Sequence, residues 1–185
     1  MNDIMIDLET LDTEPSAVIL SIGACEFDRE TGDIGRTFYK KVSMESCMKA
    51  GLTMSASTIK WWMEQSDEAR KEAFSGSTHL KLALNKLNYW INPVAGWRKR
   101  MPSKKLIWAN APSFDMVIIR NAYRAVDLKC DLPHFRYERD VRTLKALYPS
   151  VKVSEVGTAH NALDDCIYQS KLVAALLAVF NHEIH

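Results

Sequence analysis

The hydrophobic pattern of the chain changes its period after the first third, and this change restricts the possible folds more than any other feature. Residues 4–8, 17–27 and 36–42 form short runs rich in apolar and β-branched side chains, which is typical of strands. The segment 28–35, between the second and third runs, has the Asp, Thr and Gly residues of a turn. The first third therefore predicts a three-stranded meander.

After that meander, apolar residues recur at helical spacing, interrupted by two short runs that predict strands at Leu106–Ala109 and 137–141. Helices are predicted at 58–62, Asp67–Phe74, 80–91, 143–148 and 162–180, with one more after the strand at Leu106–Ala109. The predicted inward residues are Leu80, Leu84, Leu87 and Ile91 in one helix, Phe114, Val117, Ile118, Ala122 and Ala125 in the next, and Leu163, Ile167, Ala174 and Leu177 in the closing helix. This order predicts an α/β fold with a central mixed five-stranded sheet flanked by helices.

The size and composition of the chain restrict its class. With 185 residues, 47% of them hydrophobic, we expect one domain over residues 1–185. We expect neither a signal peptide nor a membrane span, which needs roughly 20 apolar residues, and we therefore predict a cytoplasmic location. The four cysteines are scattered without a Cys-x-x-Cys pair, which argues against a zinc knuckle or a disulfide framework. A net charge of +1 neither requires nor excludes a polyanionic partner.

Four acids near predicted strand ends and helix starts are the candidate metal ligands. Asp7 and Glu9 lie two residues apart on the first strand, so both side chains leave the same face of the sheet. Asp115 and Asp165 lie in the first turns of two predicted helices. Alone, the pair on the strand is more often a solvated strand end, and each helical acid is more often a partner of the helix dipole. Strand ends and helix starts at one sheet edge can converge on one cleft, however. Four carboxylates in one cleft indicate a site for two divalent ions, Mg²⁺ or Mn²⁺, as in phosphodiester hydrolysis.

A histidine near the last of these acids is the candidate general base. His160 precedes Asp165 by five residues, just before the closing helix. There it can deprotonate an attacking water, provided that its imidazole is neutral near the working pH. The helix N-terminus favours the neutral imidazole, whereas nearby carboxylates favour the charged imidazolium. Bound metal ions would offset the effect of the carboxylates. Without the four acids, an ordinary helix-start histidine would be the simpler interpretation.

Together these residues resemble the DEDD superfamily of 3′→5′ exonucleases, in its histidine-containing DnaQ-like (DEDDh) branch. The resemblance rests on Asp-Leu-Glu-Thr at 7–10, on the segment 110–115, and on His160 with its spacing to Asp165. The segments 58–66 and 139–143 are similar to a subgroup of phage, prophage and bacterial exonucleases, often labelled exonuclease VIII-like, with 3′→5′ exoribonuclease-like members. Each motif alone is weak, but their order and spacing agree over nearly the whole chain.

The resemblance implies a ribonuclease H-like fold and a role for each residue of the charged set. It implies that Asp7, Glu9 and Asp165 hold the divalent ions most directly and that Asp115 supports the site. It also implies that His160 acts as the general base.

The resemblance further implies contacts with the substrate. Thr10 is expected near the terminal sugar, and Asn110 and Phe114 are expected to contact the nucleic acid. Ala-Pro-Ser at 111–113 is an unusual filler between those two residues, which leaves the role of Asn110 open. Asp140 lies outside the defining set, and whether it supports the site from behind stays open.

Two further features are candidate nucleic-acid contacts. Trp61 and Trp62 are adjacent on a predicted helix, so their side chains point about 100° apart. The residues alone slightly favour packing of both side chains in the core. In the alternative, one of them, for which Trp61 is the candidate, faces a groove and stacks on a base. Such stacking contributes roughly 1–3 kcal/mol. Residues 98–105 hold five cations in a predicted loop. That segment is a solvated connection if taken alone, and a phosphate-attracting arm if it lies beside a nuclease site.

The sequence therefore predicts a two-metal-ion 3′→5′ exonuclease that hydrolyses phosphodiester bonds at the 3′ ends of single-stranded DNA or RNA and releases nucleoside 5′-monophosphates. Two alternatives keep the fold: an endonuclease, and a non-catalytic nucleic-acid-binding domain, which would gain only repulsion from acids that face phosphates. A phosphohydrolase of free nucleotides would have little use for the basic loop. The choices between DNA and RNA and between monomer and homodimer stay open.

Overall fold

The structure, a computed structural model, describes residues 3–93, 105–157 and 160–184. Among these residues, five strands form one sheet: β1 (Asp3–Thr10), β2 (Ile19–Phe27), β3 (Ile34–Lys41), β4 (Leu106–Ala109) and β5 (Glu138–Asp140). Their order across the sheet is β3-β2-β1-β4-β5. The first three strands pair antiparallel, whereas β4 runs parallel to β1 and β5 parallel to β4. The predicted mixed five-stranded sheet is confirmed.

The helices that the structure describes are α1 (Met44–Lys49), α2 (Ala56–Met63), α3 (Asp67–Phe74), α4 (Leu80–Ile91), α5 (Pro112–Ala125), α6 (Val141–Leu147) and α7 (Ala162–Ile184). Three of the short helices begin after a serine whose side chain accepts a backbone N–H three residues later: Ser43, Ser55 and Ser66. Helix α1 was not predicted, because six residues are too few to show a helical period. None of the described helices has both the length and the apolar composition of a membrane span.

The two faces of the sheet are covered by different helices. Ile4, Ile6 and Leu8 of β1 belong to a buried cluster that includes side chains of α4 and α5. Met5 belongs to a second cluster with buried residues of α7. Because side chains alternate along a strand, the odd-numbered residues that follow Met5 also face α7. The fold thereby directs the two acids of β1 toward the closing helix.

Close packing between β2 and α7 brings that helix to the acids. Gly23 lies opposite Asp7 in the pairing of β1 and β2. A Cβ atom on Gly23 would lie 2.2 Å from the backbone carbonyl of Ala162, so any side chain would push the start of α7 away. Asp165 follows in the first turn of α7. The absent side chain at Gly23 therefore lets this turn approach β1.

The predicted inward face of α5 is partly wrong. Val117 is 38% exposed and Ala125 is exposed, whereas Met116, Ile119 and Tyr123 are buried. The burial of Ile118 and Ala122 is confirmed. Asp115 is buried as well, and a prediction from apolar residues alone does not count an acid as part of the inward face.

The predicted inward face of α7 is displaced in the same way. Leu163, Ile167 and Leu177 are only half-buried, while Cys166 and Ser170 are fully buried. Ala174 is buried as predicted. Since α7 is apolar on most of its sides, spacing alone could not identify the side that meets the sheet.

Candidate active site

A cavity of about 530 Å³, which we call the acid cavity, is lined by the four acids and the histidine that the sequence nominated. Asp7 and Glu9 come from β1, Asp115 from the first turn of α5 and Asp165 from the first turn of α7. His160 lies just before α7 and lines the same cavity. Three separate parts of the chain thus converge on one edge of the sheet.

The acids of this cavity are largely shielded from water. Asp115, Glu9 and Asp7 are only 3%, 8% and 9% exposed, and Asp165 is half-buried. Burial, together with the negative charges of the other three acids, raises the pKa of Asp7 well above 3.8. Burial and the charges of Asp165 and Asp115 raise the pKa of Glu9 to about 8.

The same effect acts on the other two acids. Burial raises the pKa of Asp115 to about 7, although hydrogen bonds from the backbone oppose that rise. Burial raises the pKa of Asp165 as well, against the lowering effect of His160. The nearby cationic groups therefore do not balance the negative charges that these carboxyl groups would carry at neutral pH. Binding of protons or of metal cations would stabilise the cluster.

Two hydrogen bonds hold acids of the cavity in place. The backbone N–H of Leu8 donates to Asp115 Oδ1 over 3.2 Å, which ties the start of α5 to β1. Gln169 Nε2 donates to Asp7 Oδ1 over 2.9 Å. Sequence reasoning missed Gln169, although its position four residues after Asp165 places both on one face of α7.

The tightest group in the cavity contains the histidine. Glu9, His160 and Asp165 each offer one potential ligand atom, and these atoms lie within 4.8 Å of one another. His160 has a φ of 64°, in the left-handed region. Its ring packs edge-on against Trp61 and Trp62, with centroid distances of 4.9 Å and 6.0 Å. These two indoles restrict the orientation of the imidazole.

The two tryptophans have different environments, so the expectation that both pack in the core is wrong. Trp62 is 1% exposed, and its Nε1 donates to the carbonyl oxygen of Thr10 over 2.9 Å. Trp61 is 41% exposed. Because neighbouring positions on a helix point in different directions, burying Trp62 leaves Trp61 at the surface.

A second cavity of about 440 Å³, the aromatic groove, lies beside the acid cavity. Its lining includes Thr10, Trp61 and Phe114, three of the four predicted substrate contacts. Leu8, Glu9 and Phe114 line both cavities and so separate them. The fourth predicted contact, Asn110, lines the acid cavity instead.

Of the basic loop at 98–105, residues 98–104 lie outside the described residues. Lys105, its last cation, forms an ion pair with Glu26, which also binds Arg36 over 2.7 Å. These two cations hold the pKa of Glu26 at about 2, against the effect of its burial. Leu106 follows Lys105 and pairs with Asp3, at the end of β1 remote from the acid cavity. Lys105 itself therefore lies away from the predicted site.

Three further residues of the cavity were also missed by sequence reasoning. Arg142 and Lys145 on α6 and Tyr168 on α7 line the acid cavity. The sequence did contain one signal for the two cations: their three-residue spacing on a predicted helix places them on the same side of it. Asp140, whose role the sequence left open, caps α6 by accepting the backbone N–H of Thr143 over 3.0 Å.

Comparisons with known proteins give relatives in sequence and in fold. An exodeoxyribonuclease of Enterobacteria phage T4 is 27% identical in an alignment 197 positions long, gaps included, that covers 90% of this chain and 85% of the phage protein. The nuclease domain of 3′hExo, described as a DEDDh family member bound to rAMP, superposes with a TM-score of 0.64 at 14% identity, over 95% of this chain and 91% of that one. Exonuclease X, in complex with 5′ overhanging duplex DNA, superposes with a TM-score of 0.56 at 14% identity, over 96% of this chain and 92% of that one.

The structural likenesses show the shared ribonuclease H-like fold. A family model described as a 3′-5′ exoribonuclease Rv2179c-like domain matches residues 2–177, which is nearly the whole chain. The chain therefore belongs to the family of 3′-5′ exoribonuclease Rv2179c-like domains and shares the fold of the DEDDh exonucleases.

Proposed function

We propose that this protein is a metal-dependent 3′→5′ exonuclease that removes nucleotides from single-stranded DNA or RNA as nucleoside 5′-monophosphates. The observation that carries the proposal is the convergence of Asp7, Glu9, Asp115, Asp165 and His160 on the acid cavity. Acids whose pKa values are raised by burial and by one another are typical of sites that work on charged ligands. Acids that served only to keep the protein in solution would be exposed at the surface, whereas these are largely buried.

The residues of the cavity fit hard divalent cations. Carboxylate oxygens are the ligands that Mg²⁺ and Mn²⁺ prefer, and four carboxylates line the cavity. We propose that Asp7, Glu9 and Asp165 hold two such ions most directly. Asp115, whose Oδ1 accepts the N–H of Leu8, is proposed to support the site, as the family resemblance implies. When bound, ions of this kind supply a more acidic water and stabilise the charge on the leaving 3′ oxygen.

His160 is the proposed general base. A neutral imidazole nitrogen takes the proton of the attacking water while the water oxygen forms its bond to phosphorus, and the 3′ oxygen of the shortened strand leaves. Trp61 and Trp62 pack against the ring and restrict its rotation. Such restraint keeps the base in one orientation, which a proton transfer over hydrogen-bond distance requires.

The aromatic groove is the proposed site of the terminal nucleoside. The exposed indole of Trp61 offers a face for base stacking, which has little sequence preference. Thr10 lies in the same groove and is proposed to lie near the terminal sugar. Phe114 forms part of the wall between the groove and the acid cavity, and Asn110 faces the cavity.

Both polymers belong to the proposed substrate class. The family is described as an exoribonuclease domain, whereas the phage relative is an exodeoxyribonuclease. A base-stacking groove and a site for the phosphodiester serve either strand. We also propose that the protein acts in the cytoplasm; its described cysteines are all free thiols, which suits a reducing compartment.

Product analysis on short single strands tests this proposal. Labelled DNA and RNA strands, incubated with Mg²⁺ or Mn²⁺, are expected to shorten stepwise from the 3′ end and to release 5′-mononucleotides, and a chelator is expected to stop the reaction. Asp7→Asn should lower turnover by about 10²–10³-fold or more. Asp127→Asn, at an exposed turn residue, is the matched control and should keep full activity.

Several outcomes would overturn the proposal. These are cleavage that resists the chelator, the absence of cleavage with every divalent ion tried, and normal turnover by Asp7→Asn. A circular single strand should survive, because an exonuclease needs an end; its cleavage would establish an endonuclease instead. Faster hydrolysis of nucleoside triphosphates than of oligonucleotides would favour a phosphohydrolase.

A further inference from the structure

We propose that Arg142 and Lys145 bind the phosphate immediately 5′ of the cleaved bond, so that the strand crosses the site from α6 to the aromatic groove. This inference rests on the proposed exonuclease function and adds to it the direction and the minimum extent of the bound strand. It also assigns a phosphate contact to α6, which the sequence did not nominate.

The two cations lie beside the acids, and the charge of Arg142 opposes the rise in the pKa of Asp115, but neither cation forms an ion pair with a described acid. Both line the acid cavity, both are exposed, and their three-residue spacing puts them on one side of α6. Among the described residues, neither forms an ion pair, whereas cations such as Arg36, Lys41 and Arg120 each contact a carboxylate. Cations left unpaired beside a cleft are available to an anionic ligand.

Helix α6 is held firmly in this position. The side chain of Asp140 caps its first turn, and Val141 is only 1% exposed. The backbone N–H of Arg142 donates to the carbonyl oxygen of Asn110 over 3.2 Å. Asn110 lies in the loop that leads into α5 and Asp115. The separation between the two cations and the acids is therefore set by the fold.

The aromatic groove has the opposite charge character. None of the described residues that line it is a lysine or an arginine, and it contains the carboxylate of Asp12. It shares Leu8, Glu9 and Phe114 with the acid cavity but no residue of α6. Glu9 thus lies at the boundary of an acidic groove, whereas the two cations line the acid cavity but not that groove.

This asymmetry matches the charge of a strand around its last bond. The terminal nucleoside ends in sugar hydroxyls and carries no phosphate beyond the cleaved bond, so it fits the groove of Trp61. The upstream nucleotide carries a further phosphate, which fits Arg142 and Lys145. The reverse placement would put that phosphate beside Asp12 and would leave the two cations facing a nucleoside without charge.

A dinucleotide is the smallest substrate on which to test this contact. Its single phosphodiester is the bond to be cleaved, so the form with a 5′-hydroxyl has no phosphate for α6. Adding a 5′-phosphate supplies the missing charge. We expect the protein to hydrolyse the 5′-phosphorylated form with a kcat/KM about 10–100-fold higher, as for a gained charge-assisted hydrogen bond.

The experiment measures this preference ratio in four proteins. The double variant Arg142→Ala with Lys145→Ala should bring the ratio close to one. The double variant Arg142→Lys with Lys145→Arg keeps the charges and should retain most of the preference. Lys86→Ala, which removes an exposed cation of α4 outside both cavities, should retain the ratio of the unmodified protein.

Salt dependence gives an independent readout on a longer single strand. Because each phosphate contact releases counterions, the slope of log kcat/KM against log salt should become less negative by about 0.7 when the two cations that bind this one phosphate are removed together. An unchanged slope, or an unchanged preference ratio in the alanine double variant, would overturn the assignment to α6. Equal rates on both dinucleotides by the unmodified protein would overturn it too. Failure of the unmodified protein to cleave any strand would instead overturn the proposed function.

Discussion

The acid cavity predicts that replacing Glu9 by glutamine stabilises the metal-free protein while it removes activity. Glu9 is 8% exposed, and its carboxylate faces the charges of Asp165 and Asp115. Without bound cations, the folded protein must either keep a proton on Glu9 or keep a buried negative charge beside two others. An amide of the same size removes both costs.

The size of the effect follows from the pKa of Glu9, which rises from 4.5 to about 8 on folding. Below 4.5 this group is protonated in both states and costs nothing. As the pH rises toward 8, the unfolded chain loses the proton while the folded chain retains it, so stability falls. A tenfold change in proton affinity equals about 1.4 kcal/mol, which gives an upper limit of roughly 4 kcal/mol near pH 8. Because the new amide is itself buried and polar, we expect about half of this, roughly 2 kcal/mol.

Urea unfolding in the presence of a chelator, at about pH 8 and at about pH 5, measures this difference. Glu9→Gln should be more stable than the unmodified protein near pH 8, and the advantage should shrink toward pH 5. Glu155→Gln, at an exposed loop residue, is the control and should change little at either pH. If Glu9→Gln is less stable in chelator at the higher pH, or if its advantage does not depend on pH, the electrostatic reasoning is refuted. Added Mg²⁺ should stabilise the unmodified protein more than the variant.

Three further predictions concern residues around the acids. Gln169→Ala removes the hydrogen bond that orients Asp7 and should weaken Mn²⁺ binding by about 10–100-fold in calorimetric titrations; unchanged affinity would contradict that role. Trp61→Ala should raise KM for single strands by about 5–100-fold, as expected for a lost base stack, while Trp61→Phe should retain most of the affinity; equal KM values for both variants would refute stacking. Gly23→Ala forces the start of α7 away from β2 and should cost about 1–3 kcal/mol in urea unfolding together with most of the activity. Normal stability and turnover for Gly23→Ala would show that α7 need not lie so close.

Much of the architecture could be predicted from the sequence because local signals were strong. The alternation in β1 placed Asp7 and Glu9 on one face, and that face is the one that α7 covers. The change from meander to alternating helices and strands correctly indicated the mixed sheet. Helix phase was harder, as Val117 and Ile167 show, since α5 carries a buried acid and α7 is apolar on most sides.

The parts of the site that could not be predicted depend on contacts between distant segments. Gln169 was not predicted because its partner, Asp7, lies 162 residues away in the sequence. Arg142 and Lys145 look like ordinary surface cations until the fold places α6 beside the acids. Which of Trp61 and Trp62 is buried could not be predicted, because Trp62 packs in the core and donates to the backbone of β1, and a hydrophobic pattern has no signal for that contact.

Anomalous diffraction from crystals grown with Mn²⁺ and a nucleoside 5′-monophosphate tests the central claim most directly. We predict two anomalous peaks roughly 3.5–4 Å apart in the acid cavity. Oxygen atoms of Asp7, Glu9 and Asp165 should ligate them, and the nucleoside should lie in the groove of Trp61. Peaks confined to other surfaces, or a cavity without Mn²⁺ at concentrations that support cleavage, would contradict the account.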